Sequence, residues 1–518
     1  MLLSNLISKA KIEYTLLDTR GIFGAYPLAN IEIDEIFLDS RKVVSGGLYI
    51  ALEGLHTDSH RYIAEAASHG AVAAVISHRA LYDRRVDCGK VNIPLIAVED
   101  CREAMARIYA AWYGNPQEQM TFVGITGTNG KTSVSRMIYE ILCHAGEQCG
   151  LIGTAGNLMS CGAGEGSEEI NIRAKSALAN MTTPDPEELY KILALMRDSG
   201  VRYVIMEVTS HSLAFKKVSP IDFEIGVFTN LTEDHLDFHL NMEEYYRAKR
   251  SLFERCGKSV INIDDLYGRR LIKEISSARY TTSSEGRSAD FAACDIRCHG
   301  ENGMEYRLAS GRMRLRIKTK IPGAITVTNT LQAAAVANLL GVSPREIKDS
   351  IFSLAGIRGR LEKLKLPLKV GFSVYIDYAH TPDALENLLR TAKMLVRKGQ
   401  RIVLLFGCGG DRERQKRAMM GRIAGSMADF FVITSDNPRG EEPSDIISDI
   451  ISGVGDEGQF TVIEERDRAI EYVVKNARVG DIILLAGKGH EEYSIDKSGR
   501  RDFSERELVD RYVKRYYG

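Results

Sequence analysis

An apolar stretch from Thr121 to Ile125 ends in Thr126-Gly127-Thr128-Asn129-Gly130. Lys131-Thr132-Ser133 then open a helical-looking run to Cys143. This order makes a phosphate cradle. Glycines let backbone N–H groups face inward, and a helix N-terminus adds partial positive charge. Lys131 can reach terminal phosphates, and the Thr132 hydroxyl can ligate Mg²⁺. The strict motif has glycine five residues before Gly130, where this chain has Ile125. With a strand before it and a helix after it, the loop points to ATP or a close relative.

Three further groups could carry chemistry. Glu207 ends the apolar run Val204-Ile205-Met206. A carboxylate at a strand end, in the domain that holds a phosphate loop, is where a Mg²⁺-holding acid belongs. Between Glu233 and His239, three acids and two histidines fall within seven positions. That density suits a metal or phosphate site, and it equally suits the acidic first turn of a helix. Lys249, in Tyr246-Arg247-Ala248-Lys249-Arg250, reads from the residues alone as a surface lysine on a helix.

The elements that must position these groups fall into three regions. At 518 residues, the chain is too long for one ordinary domain. Short buried strands are expected at Ile36–Leu38, Gly47–Leu52 and Ala71–Ile76, with helices at Arg61–Ser68 and Cys101–Tyr113 before the turn signal Gly114-Asn115-Pro116. From the phosphate loop onward, strand candidates Val201–Val208, Ile225–Thr229 and Ser259–Ile263 alternate with helical segments. A mostly parallel sheet follows from that alternation. The small-residue stretch Ala155–Ala179 reads as a surface loop. Phe291–Lys320 reads as an antiparallel edge, and Thr330–Leu340 as a closing helix. Beyond Val342, four apolar segments each end in a polar cluster: Asp377-Tyr378-Ala379-His380, Gly407 to Arg412, Ser435 to Arg439, and Gly487 to Glu491. Ligands of open α/β sheets bind outside the carboxyl ends of strands, so these clusters predict a second ligand site. The expected domains are 1–105, 106–341 and 342–518.

Composition excludes several classes. Sixty-eight Lys and Arg nearly balance 69 Asp and Glu, so no charge excess points to nucleic acid or an anionic membrane. No apolar run approaches the ~20 residues that cross a bilayer, and no signal peptide is visible. Nine cysteines lie scattered without Cys-x-x-Cys pairs, as reduced cytosolic thiols would. A cytoplasmic protein is expected.

Motifs along nearly the whole chain resemble the Mur ligase family, in the branch that adds the third residue of the peptidoglycan stem peptide. They are Leu38-Asp39-Ser40-Arg41, Gly127 to Thr132, Thr182-Thr183-Pro184, Glu207 to His211 and Asn230 to Asp237. The third region adds Asp377 to Asp383, Gly407 to Arg412, Asp436-Asn437-Pro438-Arg439 and Gly487 to Glu491. The resemblance implies an α/β protein of three domains: an N-terminal nucleotide-sugar domain, a central P-loop ATPase-like domain with a mostly parallel sheet, and a C-terminal Rossmann-like domain. It also implies ATP-dependent ligation of meso-diaminopimelate to UDP-N-acetylmuramoyl-L-alanyl-D-glutamate through an acyl phosphate, with Mg²⁺. Positioning and charge neutralisation are the catalyst's work in such a reaction.

Residue roles follow from the same resemblance. Gly127, Thr128, Asn129, Gly130, Lys131, Thr132 and Ser133 would cradle ATP phosphates, and Asn329, Arg360 and His380 would meet the rest of the nucleotide. Thr132, Glu207, His235 and Lys249 would serve metal, with Lys249 carbamylated to an anionic N6-carboxylysine. Leu38, Ser40, Leu55, His56, Thr57, Thr182, Thr183, Ser210 and Lys217 would hold the nucleotide-sugar peptide. Arg412, Asp436, Asn437, Pro438, Arg439, Gly487 and Glu491 would hold the amino acid. Lys131, Glu207, His235 and Lys249 form the expected catalytic set. Thr209 replaces the family's usual serine. Phe215 and Lys217 stand where relatives often carry Gln and Arg, and Thr326 stands where an Asn is usual. Rival readings are a ligase taking L-lysine or another diamine, a folylpolyglutamate synthetase, and a non-catalytic paralogue binding wall precursors. Arg439 favours diaminopimelate, and Leu38 to Arg41 disfavours the folate reading.

Overall fold

The computed structural model describes residues 1–17, 28–54, 57–86, 91–161, 168–172, 181–456 and 458–518. Residue contacts divide it into two compact units. The first comprises Met1–Val123, Gln148–Cys161 and Glu168–Glu224; the second includes Gly124–Glu147 and Ile225–Gly518.

The first unit opens with a five-stranded sheet in the order Thr15–Leu17, Leu95–Val98, Ala71–Ser77, Gly47–Ile50, Glu35–Phe37. All neighbours pair parallel except the outermost strand, Thr15–Leu17. Its central strands are continuous apolar runs, as sheets buried on both faces require. Ala73, Ala74, Val75 and Ile76 are all fully buried. Later in the same unit, Tyr203–Glu207 pairs parallel with Cys149–Gly153.

The stretch read as a loop from Ala155 differs from expectation. Gly156–Cys161 and Glu168–Asn171 are strands, each added antiparallel. The small residues there serve packing. Asn157, Leu158, Met159 and Ser160 are all buried, and the Ser160 hydroxyl accepts from the Cys149 amide at 2.9 Å. A composition rich in Gly and Ser hid a strand held by its neighbour.

In the second unit, Cys256–Asn262, Ala278–Ser283 and Phe291–Cys298 pair parallel in that order. Met304–Ser310 and Met313–Thr319 then extend the sheet antiparallel, as the alternation from Phe291 predicts. Helix Ala324–Leu339 packs on helix Lys131–His144.

The C-terminal part of this unit carries a six-stranded sheet in the order Glu362–Lys363, Ser373–Asp377, Ile482–Ala486, Ile402–Phe406, Phe430–Ile433, Phe460–Val462. All pairs are parallel except that of the short first strand. One face packs on helices Pro382–Leu395, Gln415–Met427 and Pro443–Ile451, through Leu389, Met420 and Ile450. The other packs on helices Arg466–Lys475 and Glu505–Tyr517, through Ile470 and Val509. This is a doubly wound, Rossmann-like arrangement. The four strands read from the sequence are adjacent, so all four polar clusters issue from the same edge.

Candidate active site

The phosphate loop is built by residues that tolerate crowding. Gly127 and Gly130 have φ of 149° and 87°, and a Cβ on Gly127 would lie 1.8 Å from Thr229 Oγ1. Ile125 is fully buried in the strand Thr121–Thr126, so the turn begins at Gly127, and the missing glycine is a core position. Side chains from a neighbouring segment fix the loop. Thr229 Oγ1 donates to Asn129 O at 2.6 Å, Asn129 N donates to Asn230 Oδ1 at 2.9 Å, and Thr128 Oγ1 donates to Thr232 O at 3.1 Å. Lys131 opens the helix and folds its Nζ back onto Gly127 O and Thr128 O at 2.9 and 2.8 Å. Ser133 lies half-buried in the first turn of the same helix.

The Rossmann-like part reaches this loop. Arg360 donates to Thr132 Oγ1 at 2.9 Å and stacks 4.5 Å over the Tyr378 ring. Asn129 Nδ2 donates to Asp383 Oδ2 at 2.7 Å. Asn329, buried on its helix, lies close enough that a Cβ on Gly130 would come within 3.0 Å of its Oδ1. His380 Nδ1 is 2.8 Å from Tyr378 O, an acceptor only, so Nδ1 carries the proton. Burial, reinforced by Lys416, pushes His380 down to about 4, which keeps it neutral at physiological pH.

Lys249 corrects the sequence reading. It is 1% exposed, and its Nζ donates to Gly127 O at 2.8 Å while lying 4.6 Å over the Tyr245 ring. Burial, then repulsion from Lys131, lowers its pKa well below the ordinary lysine value. A buried amine that resists protonation more than an ordinary lysine thus sits beneath the phosphate loop. The sequence could not show this, because the burying residues come from the distant loop at Gly127.

Neither reading of the Glu233–His239 cluster covers it whole. His235, with φ 57°, caps the short helix Leu236–His239, and Glu233 and Asp237 are exposed. Asp234 alone among the acids turns inward. Burial raises its pKa, but His235, His380, Lys416 and Lys131 together outweigh that and hold it below the carboxylate range. His235 Nε2 is 3.4 Å from Asp234 Oδ2. Among the described residues, no three His, Cys, Asp or Glu side chains gather as a metal set.

The first unit holds its own polar cluster. Glu207 is 1% exposed, and its carboxylate accepts from Thr154 N at 2.9 Å and Thr154 Oγ1 at 3.0 Å. Thr182 Oγ1 is 2.9 Å from Thr154 Oγ1, and Thr183 Oγ1 donates to Glu207 O at 2.9 Å. Thr209, the family's serine position, caps the next helix by accepting from Ser212 N at 3.1 Å, as serine would. Ser210 Oγ is buried with no hydrogen-bond partner. Lys217 is buried and pairs with Asp185 at 2.8 Å, and Phe215 carries Arg102 stacked 4.5 Å over its ring. Thr326 is absorbed by its own helix, donating to Pro322 O at 2.9 Å. In the N-terminal part, Leu38 is exposed and Ser40 donates to Glu65 Oε2 at 2.7 Å. Thr57 precedes the Asp58-capped turn, while Leu55 and His56 lie outside the described residues.

At the edge of the Rossmann-like sheet, Asp436, Asn437, Pro438, Arg439, Gly487 and Glu491 come together. Gly487 has φ 113°, and a Cβ there would stand 2.5 Å from Asp436 Oδ2. Asn437 Nδ2 donates to Glu491 Oε2 at 2.9 Å. Pro438 is buried, and its carbonyl accepts from Glu441 N at 3.0 Å. Burial and the neighbouring Asp436 raise the Glu491 pKa, against Lys488. Arg439 is half-buried and donates only to carbonyls, Gly410 O at 2.8 Å and Asn437 O at 3.4 Å. Burial and repulsion from Arg412 lower its pKa. Arg412 itself is exposed and donates to Asp411 O at 3.1 Å. Sequence reasoning missed Lys488, Arg466, Thr154 and Asp383. Lys488 and Asp383 had a signal, lying in the named stretches Gly487 to Glu491 and Asp377 to Asp383; Arg466 and Thr154 are joined to the site only by folding.

A phosphate loop with a buried lysine beneath it, and an open α/β edge that gathers Arg439, Asp436 and Glu491, define a nucleotide-using enzyme with a second polar ligand. Three family models match: "Mur ligase family, catalytic domain" over 32–113, "Mur ligase middle domain" over 125–337, and "Mur ligase, glutamate ligase domain" over 359–489. A protein of Clostridium tetani named UDP-N-acetylmuramoyl-L-alanyl-D-glutamate--2,6-diaminopimelate ligase is 39% identical over 511 residues, 98% of each chain. One of the same name from Caldanaerobacter subterraneus is 41% identical over 93% of this chain and 94% of its own. A solved structure of a ligase of that name superposes with a TM-score of 0.64 at 28% identity, over 96% of this chain and 98% of that one. The chain belongs to the Mur ligase family.

Proposed function

We propose that this enzyme joins meso-diaminopimelate to UDP-N-acetylmuramoyl-L-alanyl-D-glutamate at the expense of ATP, building the third position of the peptidoglycan stem peptide. The observation that carries the acceptor is Arg439. It is a half-buried guanidinium that, among the described residues, donates to the carbonyls of Gly410 and Asn437 and feels the charges of Asp436 and Glu491. Diaminopimelate differs from lysine by a distal carboxylate. A planar guanidinium matches a carboxylate with two parallel hydrogen bonds, and the two acids suit its ammonium groups. The relatives named above support the same reading.

The chemistry is a carboxylate activated as an acyl phosphate. The γ-phosphoryl group passes from ATP to the D-glutamate carboxylate, with ADP leaving. The amine of diaminopimelate attacks the carbonyl, phosphate departs and the amine loses a proton. Lys131 and the Gly127–Ser133 amides would neutralise the phosphates. Asn329, Arg360 and neutral His380 would hold the nucleoside, Thr182, Thr183, Ser210 and Lys217 the nucleotide-sugar peptide, and Arg412 a carboxylate of the amino acid. Two or more charged oxygens must be screened during transfer, which Mg²⁺ supplies when bound. The donor set fits a hard cation. Thr132 Oγ1 is a buried oxygen, His235 lies beside Asp234, and Lys249 becomes an oxygen ligand once carbamylated. Carbamylation needs the neutral amine: Nζ attacks CO₂, a proton leaves, and an anionic carbamate forms.

The test is ADP release with ATP and the nucleotide dipeptide against a panel of amino acids. Diaminopimelate should give the highest kcat/KM, and Lys131→Ala should abolish release in a folded protein. Arg439→Ala should lose the preference for diaminopimelate over lysine. That preference rests on a buried cation left unpaired by lysine, on the order of several kcal/mol. Wild-type preference for lysine would overturn the acceptor, and release by Lys131→Ala would overturn the phosphate-loop role.

A further inference from the structure

Lys488 is fully buried at the floor of the amino-acid pocket, and no step above uses it. Its Nζ donates to Asn437 Oδ1 at 3.0 Å and to Tyr493 O at 2.9 Å. It stands 3.9 Å from Glu491 Oε2 and 4.0 Å from Asp436 Oδ1. Burying a lysine costs several kcal/mol unless it is paired, so its place needs a reason.

Asn437 supplies it. An amide side chain can be flipped end for end, and its neighbours decide which way it faces. Asn437 Oδ1 receives two donors, Lys488 Nζ and Ile495 N, each at 3.0 Å. The amide nitrogen is thereby aimed at Glu491 Oε2, 2.9 Å away. Charge couples the same groups: burial and Asp436 raise the Glu491 pKa against Lys488, and burial lowers the pKa of Lys488 itself against Asp436. The groups facing Lys488 are Asp436, Glu491, Glu505 and Arg466, with the Phe503 ring 5.5 Å away. Arg466 is committed elsewhere: to Glu505 at 2.8 Å and Ala486 O at 2.7 Å, reaching Asp436 only at 3.8 Å. Among the described residues, Lys488 alone bridges both acids and the amide.

We propose that Lys488 is a positioning residue for the acceptor: it fixes the orientation of Asn437, whose amide nitrogen then holds Glu491 Oε2 in place to meet the ammonium of the incoming amino acid. This rests on the reading that these residues bind diaminopimelate. Without Lys488, Asn437 Oδ1 keeps one donor, Ile495 N, and its amide is freer to turn. Glu491 Oε2 then loses the donor that fixes it.

The experiment is a set of KM measurements on Lys488→Met, which keeps length and loses charge, with all three substrates. The KM for diaminopimelate should rise at least tenfold, while those for ATP and the nucleotide dipeptide stay within twofold. The double variant Lys488→Met/Asn437→Ala should be no worse for diaminopimelate than Asn437→Ala alone, because the lysine acts through the amide. Should Lys488→Met fail to fold by circular dichroism, Lys488→Leu, which likewise has no donor, is compared in the same way and should give the same split. An equal rise in all three constants, an unchanged diaminopimelate KM, or additive effects in the double variant would overturn the role. Wild type releasing no ADP with diaminopimelate would instead overturn the functional reading on which it rests.

Discussion

Single residues show how folding changes chemical identity. Lys249 reads as an ordinary surface cation and folds into a buried amine under the phosphate loop, its pKa lowered by burial and by Lys131. Lys249→Ala should reduce turnover on the order of 100-fold, the scale of removing one preorganised charge from a transition state. A short carboxylic acid in the buffer should partly restore it; turnover near that of wild type without rescue would contradict the carbamate. Leu240 is a different case. It has φ 59° and ψ −41°, is 84% exposed, and follows the Leu236–His239 turn. A branched side chain in that region is strained, with nothing packed against it to compensate. Leu240→Gly should therefore stabilise the protein by about 1 kcal/mol, read as a higher urea midpoint.

Elements in this chain are set largely by local signals. Helix Pro344–Ser353 begins with Ser343 accepting from Glu346 N at 3.3 Å, while Glu346 Oε2 accepts from Ser343 N at 3.0 Å. Proline at its first position completes the start. Ser343→Ala removes the hydroxyl half of this capping box, leaves the backbone half to Glu346 in place, and should cost about 1 kcal/mol, measured by denaturant unfolding. The phosphate-loop helix uses the opposite device: its N-cap, Gly130, has no side chain, which leaves the first amides uncovered for a phosphate.

At the scale of the whole molecule, two half-buried histidines are held neutral where the sheet edge meets the loops. Burial and nearby arginines, Arg360 first, push His490 down to about 3, and His380 lies at about 4. A histidine whose folded pKa is below its unfolded value near 6.5 binds fewer protons folded than unfolded at acid pH. Its effect is therefore absent above about pH 6.5, and stability is lost as pH falls from there toward the folded value. His490→Gln removes that term. Between about pH 7 and about pH 4.5, the variant should lose less unfolding free energy than wild type; equal losses would show that His490 titrates normally in the fold. No helix among the described residues is long and apolar enough to cross a membrane, which agrees with the apolar run lengths in the sequence.

Sequence alone determined the features that depend on near neighbours. Ile402–Phe406 could be read to the residue, because a run of five buried apolar side chains can only be the centre of a parallel sheet. The loop from Gly127 to Thr132 and the Asp436–Arg439 turn were legible for the same reason: their chemistry is written in consecutive residues. What the tertiary structure decided is everything that depends on a partner far along the chain. Gly156–Cys161 became a strand because Cys149–Gly153 offered it an edge, against its composition. Asp383 joined the phosphate loop through Asn129, 254 positions away. The Lys249 pKa fell because the fold buried it beside Lys131, and Lys488 acquired a role because Asn437, Asp436 and Glu491 converged on it. Desolvation and charge pairing act through space, and a linear sequence records only which groups exist, leaving the fold to decide which of them meet without water between.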